Sequence, residues 1–316
     1  MSGLQHHRRA ALVTGAAGRV GQQLCAELAR QGKNIIGLYR EKLPRAHKNV
    51  LPLCCDLRQI ESLVPPLKST DTVVHLAWQD EFLQPQAAAE NPEYYAKNST
   101  NVVMTQNLIH AMERAGTKRI IFLSWVGVDR HAEQPMLRQK YWAENAVINS
   151  QIPEKIIIRA GLISSPEHLA ELTRVAGMIA KFPLLLPVPR GFEDVVVTTM
   201  ADVLRMISDS LRDAAKSEPQ CKIIDLASTH PSSLAAILRA VDAKVWNKKR
   251  LQLNGFLGQW LYQCLDKKLG FSRRDAARLT DYFDAASLPQ RSPAQGLPAT
   301  PMGISEGLKQ DIAQVL

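Results

Sequence analysis

The chain has 316 residues, 46% of them apolar, and a formal net charge of +9. That length accommodates one large α/β domain, or one domain with a smaller lobe. No uninterrupted apolar run reaches membrane-spanning length, and the most apolar region, Met178 to Pro189, is broken by Lys181 and three prolines. The basic residues are scattered and not interleaved with aromatics, so no nucleic-acid partner is expected. Cys25, Cys54, Cys55, Cys221 and Cys264 show no metal-ligand spacing. Reduced, mostly buried thiols in a cytoplasmic protein are the default.

Residues 1–9 form a basic tail (His6, His7, Arg8, Arg9) without the apolar stretch of a signal peptide. Ala10 to Val13 reads as the first strand. The segment Thr14 to Gly21, TGAAGRVG, follows it and opens a helix marked by Val20, Leu24 and Leu28 on one face. Gly15 permits a tight turn, Gly18 lets a pyrophosphate approach the backbone, and Gly21 lets the helix pack on its strand. Ala17, Arg19 and Val20 complete a turn whose helix N-terminus offers N–H groups to phosphates. Gly32 ends the helix and Asn34 to Tyr39 reads as the second strand, so the motif sits within a strand–turn–helix–strand unit.

Further strands are expected at Val50–Cys54, Thr72–Leu76, Arg119–Leu123 and Lys155–Arg159, with helices at Glu93–Ala115 and Gln134–Ser150 between them. The alternation predicts a doubly wound, parallel Rossmann-type sheet over residues 10–161. From residue 162 to 316 the spacing changes, and a small, mostly helical substrate lobe is expected, partly intertwined with that sheet. Its parts are a helix at Glu167–Ala180, a Pro-rich linker at Phe182–Pro189, a short strand at Val195–Thr198 and a helix from Met200. Lys222–Leu226 is expected to return to the sheet as a strand. The remainder is read as mostly helical, with a polar loop from Leu288 to Pro301.

An NAD-preferring unit places an acid after the second strand to take the ribose hydroxyls. Tyr39 stands there, followed by Arg40, and Arg19 lies within the glycine turn. Guanidinium groups pair with a 2′-phosphate, so NADP is favoured over NAD.

These elements together resemble the short-chain dehydrogenase/reductase superfamily, in its extended or atypical branches of the epimerase/dehydratase kind. Asp56-Leu57 after the third strand is similar to the pair that reads the adenine ring. Val74 to Trp78, with Leu76 and Ala77, resembles the strand end that lies along the cofactor. Asn101 to Leu108 resembles the central helix signature, with Met104 in place of its glycine. Ile121 to Ser124 resembles the strand delivering the active-site serine, and Ile158 to Gly161 the arginine-proline-glycine turn, with Ala160 for proline. Thr198 to Val203 and Pro301 to Leu308 resemble segments of the substrate lobe.

Hydride-transferring members carry Tyr-x-x-x-Lys on one helix face. Lys140, followed by Glu144, matches the lysine, and the resemblance implies that it holds the nicotinamide ribose. The tyrosine position is then Met136, whose thioether transfers no proton. Tyr141 points about 100° away on the helix; Tyr94 and Tyr95 are possible recruits. Ser124 is the candidate hydroxyl, although the family's serine often falls where Trp125 and Val126 stand. The segment Ser124 to Asp129 is closer to atypical members, namely regulators related to the nitrogen-metabolite repressor and the complex I accessory subunit. His75, and the pair His131 and Asp129, are weaker acid/base candidates than polar structural groups. Trp78 and Trp125 are expected to wall the pocket or join the core. The resemblance implies an oxidoreductase or sugar-nucleotide epimerase/dehydratase acting on a small molecule, its pocket lined by 162–180 and 244–270. The alternative is an inactive NADP-sensing regulator or assembly factor. Homodimerisation through the two long helices is implied by analogy.

Overall fold

The computed structural model describes residues 11–79, 91–132, 134–164, 185–188, 197–212, 219–226 and 251–254. In chain order the first elements are β1 (Ala11–Thr14), α1 (Arg19–Arg30), β2 (Ile35–Tyr39), β3 (Val50–Cys54), α2 (Ile60–Leu67) and β4 (Thr72–His75). Next come α3 (Pro92–Lys97), α4 (Thr100–Ala115), β5 (Arg119–Trp125), α5 (Pro135–Ile148) and β6 (Glu154–Ala160). The last are β7 (Leu162–Ser164), β8 (Leu185–Val188), β9 (Val197–Thr199), α6 (Met200–Arg212), β10 (Gln220–Leu226) and β11 (Leu251–Asn254).

Seven strands form one sheet in the order β10-β6-β5-β4-β1-β2-β3. Pairing is parallel from β3 through β2, β1 and β4 to β5. This is the doubly wound, Rossmann-like arrangement expected, with the strand order reversing between β1 and β4. The central strands β1 (ALVT) and β4 (TVVH) are buried at every position, as a parallel sheet covered on both faces requires. β3 lies at the edge, its side chains largely exposed, and carries Pro52, which has no N–H to offer a further strand.

The helix expected over 93–115 is broken into α3 and α4 at Asn98 and Ser99. The Ser99 hydroxyl accepts from the Val102 N–H and so starts a new helix. Gly116, at φ 70°, ends it in the left-handed conformation. α2 escaped the sequence reading because Pro65 and Pro66 look like breakers. Burial of Leu63 and Leu67 at 0% exposure outweighs that local preference. Arg119 and Glu154, only 2% and 4% exposed, form an ion pair at 2.7 Å at the start of β5 and β6. Arg119 also donates to the Ser210 carbonyl of α6, and Gln220 of β10 donates to Glu154. The pair therefore ties the returning segment to the sheet. Removing one partner would leave a buried charge, a loss of about 3–5 kcal/mol.

The chain divides into two compact units. One comprises Met1–Arg159 and Ala201–Asp225, the other Ala160–Met200 and Leu226–Leu316. In the second unit β7 pairs in parallel with β9, and β8 with β11. Leu185–Val188 was expected to be a linker and Leu251–Asn254 part of a helical region; both are strands. Each is short, and its partner lies more than 60 residues away, so local patterning carries no trace of the pairing. The expected helix at 167–180 and loop at 288–301 lie outside the described residues, as do 301–308 and 244–250.

Candidate functional site

The carboxyl ends of β1 and β4 meet where the strand order reverses, and the glycine turn lies there. Gly15 adopts φ 69°, and a Cβ on it would stand 2.8 Å from the Ala77 backbone. Gly21 approaches the turn more closely still: its Cβ would lie 2.1 Å from the Gly15 carbonyl oxygen. Both are fixed by packing. Gly18 differs, since a Cβ there meets only the Gly15 oxygen, at 3.1 Å. Gly18 is exposed and is the N-cap of α1, with no side-chain cap and no acid in the first turn. A bare, positively polarised helix end beside an open glycine is a cradle for a diphosphate. These residues therefore fit the pyrophosphate of a dinucleotide. Gln22 donates to the Ala17 carbonyl at 2.7 Å, and the Ala16 N–H bonds to Leu38 of β2, which hold the turn in shape. Gly37 serves the same turn, since a Cβ there would come within 3.0 Å of the Ala16 side chain.

Below the turn lies a buried polar chain. Thr14 Oγ1 accepts from the N–H groups of Leu76 and Ala77, both at 3.2 Å, and contacts His75 Nδ1 at 2.8 Å. Its one proton is thus directed at Nδ1, which makes Nε2 the protonated nitrogen. Nε2 donates to Thr105 Oγ1 at 3.1 Å, and Thr105 donates to the Asn101 carbonyl at 2.9 Å. Burial, with Lys140 nearby, pushes the His75 pKa down to about 3. His75 is a neutral structural strut, with both nitrogens already used.

α4 positions the loops around this centre. Asn101 holds both backbone groups of Gln79: its Oδ1 accepts the N–H at 2.7 Å and its Nδ2 donates to the carbonyl at 2.8 Å. Nδ2 also donates to Gln139 of α5. Asn107 donates to the carbonyls of Leu57 and Arg58, fixing the loop after β3. Asp56 in that loop accepts from the Arg58 backbone at 2.9 Å and from its guanidinium. The guanidinium bond is the main reason its pKa lies below the usual carboxylate range. Leu57 is buried beneath. At the end of β2, Arg40 spans to Gln79 Oε1 at 2.9 Å and pairs with Glu41 at 2.8 Å. Arg19 is exposed on the first turn of α1. One guanidinium thus stands at the end of β2 and another on the first turn of α1.

The β5–α5 side is built differently. Lys140 is 7% exposed and donates to the Leu123 carbonyl at 2.9 Å. Its ammonium lies 3.6 Å from the centre of the Trp78 ring and 5.0 Å from that of Phe122. Glu144, one turn on, is held bidentately by Arg159 of β6, at 3.0 and 2.7 Å. Burial lowers the Lys140 pKa to about 7, opposed by the Glu144 charge. Ser124 is 2% exposed, and its hydroxyl has no hydrogen-bond partner among the described residues. It follows Leu123 directly and shares a strand face with Phe122, the face that meets Lys140. Met136 lies half-buried in the first turn of α5, four residues before Lys140.

Tyr94 is 59% exposed and stacks edge-on with Tyr95. Asp129 accepts the His131 backbone N–H at 2.7 Å in a local turn. Cys25 and Cys55 are buried, whereas Cys54 and Cys221 are exposed, so the expectation of mostly buried thiols holds for only half of the described cysteines. Trp78 packs half-buried against the core and also faces Lys140. Gln79 and Gln139 were not named from sequence, and Thr105, Asn107 and Arg159 only as members of motifs, because the role of each depends on a partner distant in the chain. Among the described residues no group of His, Cys, Asp or Glu is placed to hold a metal, and no helix is long and apolar enough to cross a membrane.

Residues 11–135 match the model of the NAD dependent epimerase/dehydratase family. That match covers less than half of the chain. Strands β6 and β10, beyond that match, belong to the same seven-stranded sheet. A solved structure of an NAD dependent NDP-hexosamine 5,6-dehydratase, TunA, superposes with a TM-score of 0.60 at 18% identity, covering 96% of each chain. MoeE5 in complex with UDP-glucuronic acid and NAD gives 0.59 at 23% identity, over 78% of this chain and 85% of that one. At such identities the likeness is one of fold. In sequence, the mitochondrial NADH dehydrogenase [ubiquinone] 1 alpha subcomplex subunit 9 of Arabidopsis thaliana is 26% identical over 66% of this chain and 51% of its own. A 3 beta-hydroxysteroid dehydrogenase/Delta 5-->4-isomerase of Mycobacterium tuberculosis is 32% identical over 36% of this chain and 30% of its own. The chain thus spans about half of the first of these relatives and less than a third of the second.

Proposed function

We propose that the chain binds a nicotinamide dinucleotide at the β1–β4 switch point, NADP in preference to NAD. The supporting observation is the uncapped N-terminus of α1 behind an exposed Gly18, with Gly15 and Gly21 locked in place on either side. Arg40 and Arg19 favour the 2′-phosphate, and no carboxylate ends β2. Asp56 and Leu57 would face the adenine, Leu76, Ala77 and Trp78 the middle of the cofactor, and Asn101 holds their loop. The bound cofactor would supply hydride chemistry, so the reaction class is oxidoreductase or sugar-nucleotide epimerase/dehydratase. Lys140 orients the nicotinamide ribose and Ser124 hydrogen-bonds a substrate carbonyl. A cytoplasmic location and a homodimer through α4 and α5 belong to the same reading.

Met136, one turn before Lys140, favours a second reading: a cofactor-binding regulator or assembly factor without turnover. The name of the Arabidopsis thaliana relative, a subunit of an NADH dehydrogenase, is in keeping with it. Calorimetric titration with NADPH, NADP+, NADH and NAD+ tests the first reading. The phosphorylated pair should bind at least about tenfold more tightly, and Arg40→Asp should reverse the preference. An unchanged ratio would place 2′-phosphate recognition elsewhere. Absence of binding by all four would reduce the glycine turn to a structural element.

A further inference from the structure

The Trp78 ring and the Lys140 ammonium occupy each other. A centroid distance of 3.6 Å is a close cation–π contact, and it lies in a nearly dry setting. A dinucleotide laid across the switch point with its pyrophosphate at α1 has its adenosine half over β2 and β3. Its nicotinamide half then lies over β4 and β5. Trp78 follows β4, and Lys140 is bonded to the Leu123 carbonyl of β5. The ring therefore covers the cation that the second half of the cofactor would use.

The backbone of Trp78 is pinned on both sides. The Ala77 N–H is held by Thr14 Oγ1, and Ala77 packs against Gly15 with no room for a Cβ. Gln79 is held at both its N–H and its carbonyl by Asn101. The peptide cannot shift, so only rotation of the Trp78 side chain can uncover Lys140. One more feature marks a position kept for a ligand group: the Ser124 hydroxyl, 2% exposed, lies beside Leu123 without a partner.

We propose that Trp78 closes the nicotinamide half of the site by stacking on Lys140. In this state the chain binds nucleotides of the adenosine-diphosphate-ribose class, and the nicotinamide half enters only when the indole rotates away. This rests on the dinucleotide reading above. Contacts made by the nicotinamide half are offset by loss of the stack, so the whole cofactor gains little affinity over its adenosine-diphosphate-ribose part.

The test is calorimetric titration of the full chain with two pairs, NADP+ against 2′-phospho-ADP-ribose and NAD+ against ADP-ribose. In the wild-type chain the members of each pair should bind within about threefold of one another. In Trp78→Ala the dinucleotide should bind at least about tenfold more tightly than its ADP-ribose counterpart. The conservative Trp78→Phe supplies a second readout, because subtracting its emission from wild type isolates the Trp78 fluorescence. That difference should change on adding NADP+ and stay constant with 2′-phospho-ADP-ribose. A wild-type chain that already prefers the whole dinucleotide tenfold, or a Trp78 emission indifferent to NADP+, overturns the gate while leaving the cofactor site standing. Failure of all four nucleotides to bind overturns the dinucleotide reading and the gate with it.

Discussion

The two halves of the candidate site, on one sheet edge, are prepared in opposite ways. The half over β1–β3 is open and donor-rich: an uncapped helix end, an exposed Gly18 and the guanidinium of Arg40 reaching across to Gln79. The half over β4 and β5 is filled by its own side chains, with Lys140 beneath Trp78 and Ser124 buried beside it. The first half needs only backbone geometry and surface charge, and both tolerate water. The second holds away from water an amine bonded to the Leu123 carbonyl and stacked on Trp78, and a Ser124 hydroxyl with no hydrogen-bond partner among the described residues. On the proposed reading, cofactor recognition and chemistry rest on different parts of the fold, and the first can persist without the second.

The sharpest way to break the open half is to contrast two glycines in one turn. Gly21→Val would drive a side chain into the Gly15 carbonyl and should cost more than about 4 kcal/mol, read as loss of a cooperative thermal transition. Gly18→Leu meets one atom at 3.1 Å, so the protein should fold with a near-normal Tm. It should nonetheless lose dinucleotide affinity by about a hundredfold or more, because the pyrophosphate cannot approach. Equal effects of the two substitutions on folding would erase the distinction between a packing glycine and a binding glycine.

The filled half is probed by pH. The Lys140 pKa is about 7 in the fold, against 10.5 for an ordinary lysine. Between those values the unfolded chain binds more protons than the native one, so stability should rise with pH across that window. The rise is on the order of 5 kcal/mol at most, and it is lost progressively as pH falls from 10.5 to about 7. His75 acts in the same direction at lower pH, its contribution falling away from about pH 6.5 towards 3. Denaturant unfolding at a series of pH values checks the slope. Lys140→Met should flatten the upper limb and leave the lower one; a wild-type slope in that variant would assign the titration to another group.

Between the halves stands Asn101, and its removal should have the smallest effect of these. Asn101→Ala frees both backbone groups of Gln79, costing about 1–3 kcal/mol in stability. Dinucleotide affinity should weaken by up to about tenfold as the loop beneath it loosens. Calorimetry and thermal melts on the same samples separate the two. An affinity unchanged beside a lowered Tm would make Asn101 a stability residue alone.

What the linear chain determines here is whatever depends on near neighbours. The three glycines, the burial of ALVT and TVVH and the alternation of strand and helix specify the sheet and the diphosphate turn. Each is a local matter of backbone conformation or periodicity. Arg40 and Lys140 could also be named, because a residue type at a fixed distance from a strand end or along a helix has one chemical meaning. Tertiary structure decided the rest, through pairs far apart in sequence. His75 is a strut because Thr14 and Thr105 take both its nitrogens, 61 and 30 residues away. The Lys140 pKa falls to about 7 because the fold buries its ammonium, while the Glu144 charge that opposes the fall is held by Arg159. The strands β8 and β11 exist because they found each other. Desolvation and long-range pairing depend on what the fold brings together, and no local pattern contains that information.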